Sequence, residues 1–185
     1  MCPFPKAAMA IVLSGGMISC AFEPHISNRI TPDEYEIYSA WLQQHFVKQP
    51  PKNLFILSRT LIFDPEAATN SGCANALRQA GVSGRLIAQL HALGDAEFLM
   101  RVYPTLDKNL HIPWPYEEID TLPWPEPGPY RAISFSRVAF NRQHNEALLS
   151  VSDLCGGLCG HGGALIAHKE HGQWNFHSIG CVWVS

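Results

Sequence analysis

The residues with the greatest capacity for chemistry lie in one segment near the carboxyl end of the chain, SDLCGGLCGHGGALIAHKEHGQWNF (152–176). It holds two cysteines, three histidines and six glycines. Thiolates and imidazoles are ligands of zinc and copper, and a cysteine pair is also the centre of thiol–disulfide chemistry. The segment therefore has three interpretations: a metal site, a redox site, or a glycine-rich turn closed by a disulfide.

A metal site would be built on the hairpin that surrounds a two-residue turn at 171–172. With that turn, His168 and His177 become diagonal neighbours whose Cβ atoms lie roughly 7 Å apart. His161 would add a third imidazole, and Asp153 and the two cysteines of the loop are further candidates. A zinc site needs three or four ligands in a defined geometry, and Cys-x3-Cys-x-His is not a tight zinc-finger spacing. We therefore predict no cofactor, with zinc or copper at the three histidines as the alternative.

The cysteine pair Cys155 and Cys159 fits a structural role better than redox catalysis. A reactive thiol needs a lowered pKa, usually from a helix N-terminus or a nearby cation, and here Arg137 or Lys169 would have to supply the cation. The Cys-x3-Cys spacing also differs from the Cys-x-x-Cys of thioredoxin-like proteins. We expect a disulfide that closes a compact turn, with glycines supplying positive φ angles.

The amino-terminal residues have the pattern of an export signal. Lys6 is the only charge before Glu23, and the apolar run 7–21 between them is too short to span a bilayer. It ends in GMISC, which resembles a lipobox and predicts cleavage before Cys20 with a lipid joined to its thiol. Cleavage after Ala21 would instead release a soluble periplasmic protein. An ordinary buried helix is the third interpretation.

Export would place the remaining cysteines in an oxidising compartment, where disulfides persist. If Cys20 carries the lipid and the signal is removed, four cysteines remain: Cys73, Cys155, Cys159 and Cys181. Four cysteines allow three pairings, and sequence alone does not choose among them. We favour the local pair Cys155–Cys159 together with Cys73–Cys181, because the second pair would tie the helical half of the chain to the last strand.

One amphipathic helix and a β-meander are predicted to position these residues. Thr31 can cap the helix and Glu34 completes a Thr-x-x-Glu capping box, after which apolar residues recur at three- and four-residue spacing as far as the prolines of KQPPK. A buried strand, a weak helical region and a proline-rich extended connection are predicted next (53–63, 70–104 and 112–130). Four short strands then follow in meander order. The predicted class is α+β, with the N-terminal helix packed on a C-terminal antiparallel β-meander.

Composition and motifs exclude several functions. The 13 Lys and Arg residues are scattered and are outnumbered by 16 Asp and Glu, which gives no electrostatic case for a nucleic-acid partner. The chain has no Gly-x-Ser-x-Gly, no Walker loop, no His-Glu-x-x-His and no dinucleotide fingerprint, so the sequence favours a protein that is not an enzyme. Its 185 residues are divided into a signal peptide and lipobox (1–20), a tether (21–30) and a single domain (31–185).

The carboxyl-terminal motifs resemble those of a family of uncharacterised bacterial exported proteins. That family shows Ser-Arg-Val-Gly-Phe-Asn, Gln-Ala-Leu-Val-Tyr-Val, a glycine-rich loop, a Gly-Lys-Trp hairpin and a final Trp-Val-Ser. The matching segments here are SRVAFN, EALLSV, CGGLCGHGG, GQW and WVS (136–141, 146–151, 155–163, 172–174 and 183–185). Ala139 replaces a glycine of the pattern and Gln173 replaces its lysine, and EYEIYSAWL resembles the family's opening helix. The resemblance implies fold and export, and no activity.

These observations predict a bacterial cell-envelope protein, periplasmic or lipid-anchored, that acts as a non-catalytic binding or structural module. Its partner would be a protein or a small ligand, bound through the outer face of the sheet or through the glycine loop. A lipid anchor would be its contact with a membrane. The alternative is a metal-binding or thiol-dependent protein that uses the Cys155–Cys159–His161 loop with His168 and His177.

Overall fold

The computed structural model describes residues 29–46, 53–57, 60–66, 71–94, 112–114, 130–155, 159–179 and 181–184. The predicted signal peptide with Cys20, and most of the predicted tether, lie outside these residues. Three helices are described: α1 (Pro32–Phe46), α2 (Ser71–Gln79) and α3 (Gly84–Leu93). The strands are β1 (Asn53–Leu57), β2 (Ile112–Trp114), β3 (Tyr130–Phe135), β4 (Ala139–Phe140), β5 (Glu146–Leu154), β6 (Gly160–Glu170), β7 (Gln173–Ser178) and β8 (Trp183–Val184). None of these helices is both long and apolar enough to cross a membrane.

The strands form one mixed, mainly antiparallel sheet in the order β2-β1-β3-β5-β6-β7, which confirms the predicted α+β class. The consecutive antiparallel pairs β5–β6 and β6–β7 form the predicted meander, and β4 and β8 pair with β5 and β6. Strand β1 lies parallel to both β2 and β3, so the sheet continues past the meander. The strand predicted over 53–63 ends at Leu57.

Helix α1 covers one face of the sheet through the apolar stripe predicted from its spacing. The capping box at its start is present: Glu34 N–H donates to Thr31 Oγ1 at 3.3 Å, and Thr31 N–H donates to Glu34 Oε2 at 2.8 Å. The Tyr38 ring stacks on Phe135 of β3 with ring centroids 4.5 Å apart. The buried stripe consists of Ile37, Tyr38, Trp41, Leu42 and Phe46.

Helices α2 and α3 cover part of the opposite face of the sheet. Leu77, Ile87 and Leu90 form a second apolar cluster with Leu148 and Ile166 of the sheet. Ile166 is therefore buried beneath a second helical layer, which periodicity within β6 does not reveal.

The hairpin between β6 and β7 has the predicted turn and register. His171 and Gly172 both have positive φ angles, 51° and 82°, as a type I′ turn requires. Glu170 pairs with Gln173 across the turn. The alternation of side chains along β6 and β7 follows from this register.

Two disulfides link the elements, in the pairings favoured above. Cys155–Cys159 closes the loop between β5 and β6, and Cys73–Cys181 joins α2 to the segment before β8. In each pair the Cα atoms are 5.0 Å apart. The ladder of β5 and β6 continues one step past the strand ends, since Cys155 N–H donates to Cys159 O at 2.8 Å.

Candidate functional site

A cleft of about 270 Å³ lies between the carboxyl-terminal end of α1 and the strands β3, β5 and β6. Its apolar walls are Phe46, Val151, Leu165 and Val182. Its polar groups are Arg131, Asp153, His161, His45 and Ser178. Gly162 and Gly163 of the loop segment also line it, and the absence of a side chain at Gly163, which shares a face with His161, leaves space above β6.

An ion pair between Arg131 and Asp153 forms one side of the cleft. Arg131 Nε donates to Asp153 Oδ1 at 3.0 Å, and its Nη2 lies 2.6 Å from Oδ2. This two-point geometry is the strong form of a guanidinium–carboxylate contact. The Asp153 side chain is only 7% exposed and the Arg131 side chain is 36% exposed. Arg131 also lies over the Phe46 ring, 5.5 Å from its centroid, so the cation is held between a carboxylate and an aromatic face.

Two imidazoles and an indole complete the polar lining. His161 Nε2 lies 3.9 Å from Asp153 Oδ2, beyond hydrogen-bond distance, and its side chain is 56% exposed. The His45 ring stacks on Trp41 at 4.0 Å between centroids, and its Nδ1 is 3.0 Å from the Trp41 carbonyl oxygen. The Trp41 indole N–H is buried and has no hydrogen-bond partner among the described residues. A buried donor without a partner is uncommon in folded proteins.

A buried ion pair holds α1 in place above the cleft. Glu34 and Arg137 have side chains 2% and 3% exposed, and Arg137 Nε donates to Glu34 Oε1 at 2.7 Å. One helical turn later, the Tyr38 hydroxyl donates to the Ser136 carbonyl oxygen at 2.8 Å. Burial raises the pKa of Tyr38 well above its ordinary value, so this hydroxyl remains a donor. These contacts position the helix whose last two turns form the wall of the cleft.

The three histidines predicted as metal ligands do not converge. His168 and His177 are close, with ring centroids 6.2 Å apart, as the hairpin register predicts. His161 is seven residues before His168 on the same continuous strand, so its side chain points to the opposite face. Across the described ranges, no three His, Cys, Asp or Glu side chains are grouped closely enough to hold a metal ion.

The cysteines of the loop lie beside the cleft rather than among the other histidines. Asp153 pairs directly with His161, and the Cys155–Cys159 contact is two residues further along the same ladder. Because side chains alternate along strands, these four side chains share a face. Cys159 is exposed and Cys155 is half-buried.

The cations considered for the cysteines have other roles. Arg137 is buried against Glu34, and Lys169 Nζ is 2.7 Å from Glu36 Oε1. The cation on the cleft face is Arg131, which sequence reasoning missed because Tyr130–Phe135 was examined only as a strand. The sequence alone gives no partner for the carboxylate of Asp153. In the fold that partner is Arg131, which lies 22 residues earlier, on β3.

Comparison with family models, with curated proteins and with solved structures finds no match to this chain. The family resemblance of the carboxyl-terminal motifs therefore stays a prediction. Functional inference has to rest on the cleft and on the groups that line it.

Proposed function

We propose that this protein is a non-catalytic binding module of the bacterial cell envelope and that the cleft beneath α1 takes a small ligand. The observation that carries the proposal is the cleft itself, where apolar walls meet polar groups with unused hydrogen-bonding capacity. Ligand sites generally combine an apolar lining with a few convergent polar groups. Its volume of about 270 Å³ suits a molecule of one ring or a short chain.

The compartment is inferred from separate observations. The two disulfides are compatible with an oxidising environment such as the periplasm. The amino-terminal pattern supports export, with a lipid on Cys20 as the contact with the membrane. The intact mass of protein expressed with its own amino terminus tests this. We expect a lipid-modified Cys20 and four fewer hydrogen atoms than the reduced form, whereas an unprocessed chain with all 6 thiols free would refute export.

Binding is tested by amide NMR on the protein with both disulfides formed. A set of one-ring and short-chain molecules with carboxylate, amide, amine or hydroxyl groups is titrated in turn. We expect at least one to move the amide signals of Gly162 and Gly163 and the indole signal of Trp41, which all belong to the cleft lining. The indole of Trp174 is the internal control, because it already donates to Glu36 Oε1 at 3.0 Å. If no molecule moves the cleft signals, the proposed function is wrong.

A second candidate function is thiol–disulfide exchange at Cys155–Cys159, and it is favoured by the exposure of Cys159 on the face that carries His161. The thiolate of a substrate dithiol would attack Cys159 Sγ and release Cys155 as a thiolate. The second substrate thiol would then displace Cys159, which leaves the substrate oxidised and the pair reduced by two electrons.

The exchange hypothesis has an internal control in the second disulfide. Under native conditions with increasing dithiothreitol, alkylation and mass analysis should find Cys155 and Cys159 modified well before Cys73 and Cys181. Cys73 is 8% exposed, whereas Cys159 is accessible to the reductant. Equal resistance of both pairs until the protein unfolds would contradict exchange and leave the binding proposal untouched.

A further inference from the structure

The unused groups of the cleft are predominantly hydrogen-bond donors. Both oxygens of Asp153 are engaged by Nε and Nη2 of Arg131, which leaves Arg131 Nη1 without a partner among the described residues. A guanidinium has donors and no acceptor, so this group needs an acceptor as its partner. The ligand that satisfies such a set has to supply oxygen acceptors.

The more accessible charge of the ion pair in the cleft is positive. Within the Arg131–Asp153 pair the carboxylate is 7% exposed and the guanidinium 36% exposed, so the cation is the charge that a ligand contacts more readily. His161 adds a further nitrogen at the same end, with its Nε2 free of any close hydrogen bond. Arg131 Nη1 can donate a charge-assisted hydrogen bond to a carboxylate oxygen, which is stronger than a hydrogen bond to a neutral oxygen.

The remaining walls of the cleft are apolar and suit an apolar part of the ligand. Phe46 and Leu165 line the cleft, and so does Val182, which is 60% exposed. A volume of about 270 Å³ is below the usual range for drug-sized ligands, roughly 300 to 1,000 Å³. One aromatic ring or a short aliphatic chain fits this space.

We infer that the ligand is a small carboxylic acid with an apolar tail, whose carboxylate is bound by Arg131 and His161. This inference rests on the proposed function, because it names the chemistry of the ligand for the same cleft. It gives a role to the partly exposed guanidinium and to the exposed imidazole together, since one carboxylate has enough lone pairs to accept from both groups.

Phenylacetate and phenylacetamide separate the inference from the proposed function. They share the ring and the linker and differ in the charge of the head group. We expect phenylacetate to bind, to move the amide signals of Gly162 and Gly163, and to leave the Trp174 indole signal unchanged. Phenylacetamide should bind roughly tenfold or more weakly, because hydrogen bonds between charged groups are stronger than neutral ones. Acetate, which lacks the tail, should show no measurable binding.

A matched pair of variants on one strand tests the placement of the carboxylate. His161→Gln and His168→Gln are the same substitution on opposite faces of β6, and only the first lies in the cleft. We expect His161→Gln to weaken phenylacetate binding severalfold and His168→Gln to leave it unchanged. Arg131→Lys keeps a cation beside Asp153 but removes the planar fork, so it should weaken phenylacetate more than phenylacetamide.

The outcomes distinguish the assignment of a carboxylate ligand from the proposed binding function. Equal affinity for acid and amide, or equal effects of the two histidine variants, would overturn the carboxylate assignment while the cleft remains a binding site. Failure of both compounds, together with failure of every molecule in the wider set to move the signals of Gly162 and Gly163, would overturn the proposed function as well.

Discussion

Replacing the buried carboxylate of Glu34 by an amide should lower the free energy of unfolding substantially, because this one side chain accepts four hydrogen bonds. Its Oε1 accepts from Arg137 Nε at 2.7 Å and from Val138 N–H at 3.1 Å. Its Oε2 accepts from Thr31 N–H at 2.8 Å and from Arg137 Nη2 at 3.2 Å. In Glu34→Gln the new amide NH₂ would face two donors in either orientation, and a guanidinium that is only 3% exposed would lose its counter-charge.

The expected loss in the free energy of unfolding is about 3–5 kcal/mol, the usual cost of removing one partner from a buried ion pair. For a chain of this size that lowers Tm by roughly 6–20 °C, since each kcal/mol corresponds to about 2–4 °C. Urea unfolding monitored by circular dichroism, with both disulfides intact, measures the difference. Thr31→Ala is the control, because it removes the cap acceptor of Glu34 N–H and keeps the ion pair, for a cost of about 1 kcal/mol. If Glu34→Gln costs no more than Thr31→Ala, Arg137 reaches water and the argument for a desolvated pair fails.

Four other variants test separate parts of the structure. The pKa of Glu36 is lowered, chiefly by the hydrogen bond from a lysine of β6, so its contribution is present at neutral pH and lost as pH falls through the folded-state pKa. Glu36→Gln should therefore lower the free energy of unfolding by under about 1 kcal/mol at pH 7 and leave it unchanged near pH 3. A difference between the two proteins that persists at pH 3 would be inconsistent with an ion pair between Glu36 and the lysine. Gly94→Ala would place a Cβ 2.5 Å from a backbone carbonyl oxygen and should cost about 1–3 kcal/mol in urea unfolding. Gly72→Ala, with nothing within 4 Å of its Cβ, should be neutral or stabilising. If Gly72→Ala were more destabilising than Gly94→Ala, the close packing described at Gly94 would be contradicted. Removing Cys73–Cys181 with a double serine variant should cost about 4–5 kcal/mol, because the bond closes a loop with a sequence separation of 108, and a loss below about 2 kcal/mol would contradict that account.

Local features could be predicted from sequence because their causes are local. The turn at His171 and Gly172 determines which residues of β6 and β7 face each other, and the observed register follows it. The capping box at Thr31 and Glu34 depends only on residues three apart. The apolar stripe of α1 and the α+β class belong to the same group of confirmed predictions.

Apart from the Cys73–Cys181 pair, long-range side-chain partners could not be predicted, because a residue's type does not identify what the fold brings beside it. Glu34 appeared only as a capping residue, and its carboxylate is paired with Arg137, 103 positions away. Asp153 appeared without a partner, and it forms the cleft with Arg131 and His161. In both cases the sheet order supplies the missing information, since it depends on which strands pair across the whole chain.

The two disulfides also impose an order on the maturation of the chain. Strands β2 to β7 are all synthesised after Cys73 and before Cys181, so that bond can form only when the last strands have emerged. Cys155 and Cys159 are four positions apart and both precede Cys181, so they can join before Cys181 has emerged. If Cys2 is removed with a signal peptide and Cys20 carries a lipid, early closure of this short loop leaves Cys73 and Cys181 as the remaining pair of thiols. In such a chain the disulfide of the glycine-rich loop would limit the mispairing of Cys73 during oxidative folding.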